Sequence, residues 1–351
     1  MQMRRALLRS GVALTILFAS WTARPCRAED LYPKHLDAKT QAAIKRGLDW
    51  LAKNQSADGN WTGSQDGTTY PTSMVSLAGM AYLSGGNTPT RGPYAENVKR
   101  AELWLMGNAR PSGIITDPSE GNGRPMHGHG FSLLFLASVY GMETDSRTRD
   151  SLKNVINKAI NLTARGQSPL GGWTYMPGGG DEGSVTVTQM QGLRAASNAG
   201  FLVPKSTVER AVKYLEICKT SENGIKYSAA SAPQARLPIS AAAVATLYNA
   251  GDYDSPLADA CLKYVWGEFS RNPNWSKGGG HDFYAHLYAA QAFYQAGDKY
   301  WDEYFPKTRD QLLGQQLPDG SWQGEIGPVY STSIALIILQ LPYKLVPIYQ
   351  R

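Results

Sequence analysis

No run of apolar residues in the 351-residue chain approaches the roughly eighteen needed to cross a bilayer; the longest continuous candidate, residues 11–19, is about half that. Cysteine is scarce too, with Cys26, Cys218 and Cys261 the only three, which excludes a small disulfide-stapled scaffold. A lasting excess of positive charge is also missing. Five of the 35 basic residues, Arg4, Arg5, Arg9, Arg24 and Arg27, precede Glu29, and no acidic residue does. Without them 30 basic residues face 29 acidic ones. Near-neutrality removes the charge argument for a nucleic-acid partner, an acidic polymer or an anionic membrane surface.

Those early arginines, the apolar run behind them and the small residues up to Ala28 have the layout of a secretory leader. We therefore expect residues 1–28 to be removed and residues 29–351 to act as one exported domain, periplasmic or extracellular. Cys26 would leave with the leader. Aligning Lys213-Tyr214 with Lys263-Tyr264 offsets Cys218 from Cys261 by about seven positions, roughly 10 Å of helix rise. That separation predicts two buried free thiols rather than a disulfide.

What the chain has in abundance is self-similarity. Ala81-Tyr82-Leu83-Ser84-Gly85, Ala137-Ser138-Val139-Tyr140-Gly141, Ala196-Ser197-Asn198-Ala199-Gly200, Leu247-Tyr248-Asn249-Ala250-Gly251 and Phe293-Tyr294-Gln295-Ala296-Gly297 are five versions of one helix ending. Each glycine is placed where a helix end favours positive φ. A sixth copy, 332–341, stops at Pro342. Ahead of each lies a more polar segment with an amphipathic stripe: 44–54, 98–107, 152–164, 208–219, 258–268 and 308–315. The first member of each pair has a charged face; the second is apolar or small almost all round and must be buried. The pattern predicts an all-α fold, a closed (α/α)6 toroid with six inner helices ringed by six outer ones. The very apolar last inner segment argues against an open solenoid, which would need polar caps.

Three connections share the spacing Gln, three residues, Gly, one residue, Trp: Gln55/Gly59/Trp61, Gln167/Gly171/Trp173 and Gln316/Gly320/Trp322. We expect Gln to bond the open carbonyls at the helix end, Gly to allow the reversal and Trp to fill the space under the loop. With Arg46-Gly47-Leu48-Asp49-Trp50-Leu51 in front of it, the first copy resembles the QW motif of squalene and hopene cyclases. Protein prenyltransferase β subunits carry weaker relatives of it. The resemblance spans the chain after the leader and implies an α/α toroid with a central cavity. The proton-donating Asp-x-Asp-Asp segment of those cyclases has no match, and the nearest string, Asp252-Tyr253-Asp254, follows an inner helix. Gly280-His281-Asp282-Phe283-Tyr284 looks like the histidine-bearing zinc element of prenyltransferases, but Ala285 stands where that ligand belongs and His286 comes one residue late. The thioester-forming sequence of complement proteins, another user of this fold, is missing.

Parallel inner helices would open all their N-termini at one mouth. Four of the five histidines fall there: His127 and His129 at inner helix two, His281 and His286 at inner helix five. Asp181 and Glu182 precede inner helix three. We assign His129 and His286 as candidate proton-transfer groups with Asp181 and Glu182 as orienting or acidic partners. Tyr70, His127, Arg236, His281, Asp282, Tyr284 and Tyr330 are the candidate ligand-binding groups. His127 and His129 with one of the two acids could make a metal set, yet acids at helix starts commonly cap backbone donors; no metal and no cofactor is assigned. The sequence thus points to a toroid that holds a lipid, isoprenoid or protein ligand at its mouth. An enzyme acting on an isoprenoid or lipid, or a polysaccharide lyase or hydrolase using Tyr, His and Arg, are the alternatives.

Overall fold

A computed structural model describes residues 32–61, 70–120, 123–271 and 281–350, so residues 1–28, expected to be a leader, lie outside the described residues, Cys26 among them. Pro33–Arg351 forms one compact unit. Its described residues contain twelve α-helices. The outer set is α1 (Ala38–Lys53), α3 (Ala95–Gly107), α5 (Ser146–Arg165), α7 (Lys205–Ile217), α9 (Pro256–Arg271) and α11 (Asp298–Gln315). Alternating with them are the inner helices α2 (Pro71–Ser84), α4 (Met126–Tyr140), α6 (Gly183–Asn198), α8 (Leu237–Asn249), α10 (Asp282–Ala296) and α12 (Pro328–Gln340).

Each inner helix packs on the next, α2 on α4 and so on round to α12, and α12 returns to α2. The toroid is closed. Every residue of α2 is buried, as a helix without a polar face requires. Small residues let the ring tighten: a Cβ on Gly192 of α6 would sit 2.9 Å from the carbonyl oxygen of Gly130 on α4. The outer helices begin at side-chain caps where the sequence offers them. Asp37 accepts from the Thr40 amide and Asp145 from the Thr148 amide, each at 2.7 Å.

The Gln-Gly-Trp connections work differently from the sequence expectation. It is the Trp indole that bonds the open carbonyl at the end of its own outer helix: Trp61 Nε1 donates to Leu51 O, Trp173 Nε1 to Thr163 O and Trp322 Nε1 to Leu312 O, at 2.7 to 2.9 Å. The Gln amide instead donates to the loop glycine carbonyl and to the next outer helix, from Gln55 to Asn97 O, Gln167 to Thr207 O and Gln316 to Ala43 O. The last of these joins α11 to α1, closing the outer ring as α12 and α2 close the inner one.

Two further expectations change. Gly200, Gly251 and Gly297 have positive φ, but Gly85 and Gly141 end their helices at φ −88° and −74°; in the first repeat the left-handed residue is Gly86. The sixth outer helix starts at Asp298 rather than 308 and runs through Pro306. After α12 the chain makes two short 3-10 turns, Leu341–Tyr343 and Pro347–Tyr349. The second packs against α6 and α10, where Gln295 Nε2 donates to Ile348 O and Gln350 O. It covers the end of the barrel opposite the N-termini of the inner helices. Cys218 and Cys261 are buried and free, and burial pushes both thiols up, to about 11 and about 12.

Candidate functional site

The six inner helices bring their opening turns to a single cavity of about 890 Å³, within the usual range of small-molecule sites. Along the inner helices it reaches Met74 on α2 and Phe131 on α4, no deeper than the second turn, and Thr308, Gln311, Leu312 and Gln315 of the outer helix α11 also line it. Below it the barrel is filled. Gln191 Nε2 donates to Gln291 Oε1 at 2.6 Å, tying α6 to α10 past the alanine-rich start of α8, and Phe135, Tyr288 and Leu336 are fully buried.

Eight of the eleven residues singled out in the sequence meet at this cavity or its rim: Tyr70, His127, Arg236, His281, Asp282, Tyr284, His286 and Tyr330 all line it. Tyr284 Oη also donates to Ser184 O at 3.1 Å, so α10 is strapped to α6 at the cavity wall. His281, left-handed at φ 64°, donates its amide to Glu325 Oε2 at 2.7 Å and holds Nδ1 3.2 Å from the same oxygen. Burial, then the Glu325 charge, raises the Asp282 carboxyl. His286 sits at the edge, with Nδ1 2.9 Å from Tyr304 Oη; burial drives its imidazole down to about 3.

His129, Asp181 and Glu182 do not line the cavity. α4 already starts at Met126, and at about 100° per residue two positions on a helix point to nearly opposite sides. His127 therefore faces the cavity and His129 faces α5. The Ile115 amide donates to His129 Nδ1 at 3.2 Å, which leaves Nε2–H to meet Thr163 Oγ1 at 3.0 Å. Other repeats use a hydroxyl for the same purpose: the amides of Trp173, Ile225 and Trp322 donate to Thr186, Ser240 and Thr332. His129 is the second repeat's version of that tie, fully buried and held neutral, its pKa pushed down to about 4 mainly by burial. No cluster of three metal-ligating side chains occurs among the described residues, and the opposed directions of His127 and His129 are the reason that the set considered from sequence does not assemble.

Asp181 Oδ1 accepts from the Ala229 amide at 2.9 Å and anchors a neighbouring loop. Glu182 caps α6, accepting from the Ser184 and Val185 amides at 2.8 and 2.7 Å. It is 2% exposed, so burial, not the neighbouring Asp181, raises its carboxyl, and the capping hydrogen bonds oppose the shift. His35, the histidine placed elsewhere, meets Asp302 on α11.

Sequence reading missed part of the wall. Ser184, on the first turn of α6, lines the cavity with its Oγ 2.7 Å from both Glu182 oxygens and 3.2 Å from His127 Nε2. Burial, aided by the nearby Arg124 charge, pushes His127 down to about 4. Arg124 stacks over Tyr175 at 4.7 Å, and Tyr175 Oη lies 2.5 Å from Tyr227 Oη. Ser184 follows directly on Glu182-Gly183 and Arg124 stands three residues before His127, a proximity that could have flagged both. Tyr175 lies two residues past Trp173, beyond the repeated spacing, and Tyr227 lies in a connection that lacks that spacing.

Neither a protein-family profile nor a curated protein sequence matches the chain. Solved structures do. A type II terpene cyclase from Scytonema, MstE without ligand, is 14% identical over 88% of this chain and 99% of its own, with a TM-score of 0.60. A GH76 α-mannanase from Bacteroides thetaiotaomicron gives 12% identity, 87% and 96% coverage and a TM-score of 0.62. An α-amylase from Clostridium perfringens gives 13%, 88% and 98%, and 0.60. The likeness shows the fold. At these identities it carries no activity across, since this architecture serves lipid and glycan chemistry alike.

Proposed function

We propose that this protein binds an apolar or amphiphilic small molecule, of isoprenoid or lipid type, in the cavity at the mouth of its toroid, and that it does so outside the cytoplasm once residues 1–28 are removed. The observation that carries the reading is the cavity itself: it is bounded by all six inner helices, closed below by packed side chains, and its apolar lining, Met74, Phe131, Ile239, Phe283, Tyr284 and Tyr330, comes from five of them. Aromatic and aliphatic walls of that kind gain by removing a hydrocarbon chain from water. Polar groups line the same cavity, with Arg124, His127, Ser184 and Arg236 at the starts of α4, α6 and α8 and Gln311 and Gln315 on α11, which suits a ligand that also carries a polar group. Support also comes from a structural relative of this fold, MstE, which has been seen with geranylgeranyl dihydroxybenzoate. The leader's arginines and short apolar run support export.

The test is direct binding. Purified protein should quench or enhance its tyrosine and tryptophan fluorescence saturably with a C20 prenyl alcohol, and native mass spectrometry should show one molecule bound. Met74→Trp, which fills the cavity floor, should weaken that binding at least tenfold while leaving the thermal unfolding cooperative. Saturable binding of oligosaccharides with indifference to prenyl chains would replace this reading with a glycan one.

A further inference from the structure

We propose that Ser184 is a nucleophile served by His127 as its base, so that the cavity cleaves acyl esters whose apolar tail lies against the aromatic wall. The inference rests on the reading of the cavity as a site for apolar ligands, and adds a reaction to it. Ser184 and His127 come from different helices, α6 and α4, 57 positions apart, yet their polar atoms stand 3.2 Å apart on the cavity wall. That is the separation at which a serine hydroxyl hands its proton to an imidazole.

Three features suit the pair to that chemistry. The imidazole is uncharged at neutral pH because burial pushes it down to about 4; it can accept a proton, but the same burial lowers its basicity, so the step also needs a neighbouring negative charge to stabilise the imidazolium. Glu182 holds Ser184 Oγ in place at 2.7 Å and keeps a carboxylate oxygen 3.8 Å from His127 Nε2, where it would stabilise the imidazolium formed during transfer. The Ser184 oxygen already sits between the two acceptors, so only its hydrogen has to turn from Glu182 toward His127. Finally, the start of α6 is already capped by Glu182, so the positive groups placed to meet developing negative charge are Arg124 and Arg236, which line the same cavity.

In the step proposed, Ser184 Oγ bonds to the ester carbonyl carbon while its proton passes to His127 Nε2. The bond from that carbon to the alcohol oxygen breaks, and the imidazolium returns the proton to the leaving alkoxide. Water, deprotonated by the same imidazole, then adds to the acyl-serine and releases the carboxylic acid with Ser184 restored. No oxidant or metal enters the balance.

A long-chain alkyl fluorophosphonate tests this on the whole protein, because its capture forms the Oγ–P bond, expels fluoride and uses the same base. Intact mass and peptide mapping should find one adduct, on Ser184. Ser184→Ala should abolish it, His127→Gln should slow it about a hundredfold or more, and Ser146→Ala, at the exposed start of α5, should leave it unchanged. The labelling rate should hold steady from neutral pH down to about 5 and fall toward 4. An adduct on another residue, or labelling of His127→Gln at the parent rate, overturns the proposal. Prenyl-alcohol binding with no adduct overturns the hydrolytic step alone; loss of both shows that the cavity reading itself has failed.

Discussion

His129 holds the Ile115 amide and meets Thr163, so its removal should be felt in stability and not in ligand affinity. His129→Ala leaves a buried amide unanswered and a gap in a packed wall, a loss of about 2–4 kcal/mol at pH 7. Prenyl-alcohol affinity should stay within about twofold. The cost should shrink in acid. With its folded pKa near 4 against the ordinary 6.5, His129 is neutral in the fold while the unfolded chain takes up a proton below 6.5. Stability therefore rises with pH across that interval and is lost as pH falls through it. The variant has no such proton to take up. Chemical denaturation of both proteins at pH 7 and pH 5 checks the narrowing gap; an equal gap at the two values would show that His129 is not held neutral.

At the scale of the helical hairpin, the glycine of each Gln-Gly-Trp connection is the strictest residue. Gly171 has φ +100°, and an added Cβ would come within 2.1 Å of the Arg210 carbonyl oxygen; at Gly320 the corresponding partner is Arg46 O at 2.5 Å. Gly200 has a similar φ, +87°, with nothing inside 4 Å. The pair separates strain from collision. Gly200→Ala should cost about 1–2 kcal/mol for the left-handed backbone alone, whereas Gly171→Ala should cost on the order of 3 kcal/mol or more, since α7 must also back away. Equal losses in urea titrations would mean that the loop can shift without disturbing its neighbour.

For the whole molecule the closed ring has one open end and one covered end, and residues 341–350 supply the cover. Truncation after Gln340 would uncover the ends of α6 and α10 and strip Gln295 of its carbonyl partners. The shortened protein should unfold at a lower temperature, by several degrees or more, and bind an apolar dye that the full chain ignores. An unchanged melting temperature would make the terminal segment a passive appendage.

Much of this was legible in the order of residues. Twelve helices in alternating polar and apolar pairs follow from periodicity, because a helix without a polar face has nowhere to go but inward; the three Gln-Gly-Trp spacings and the two free thiols were equally readable. Pro306 hid the first half of α11, since a proline usually ends a helix and here it does not. Only the folded ring decided which way each side chain faces. One residue of helix phase separates a cavity wall from the seam between helices, so His127 joined the site while His129 became a tie, and Ser184, unremarkable in the sequence, was carried to within reach of an imidazole 57 positions away. Local patterns specify elements because their causes are local; a site built from six helices depends on how the ring closes, and that is settled by packing across the barrel.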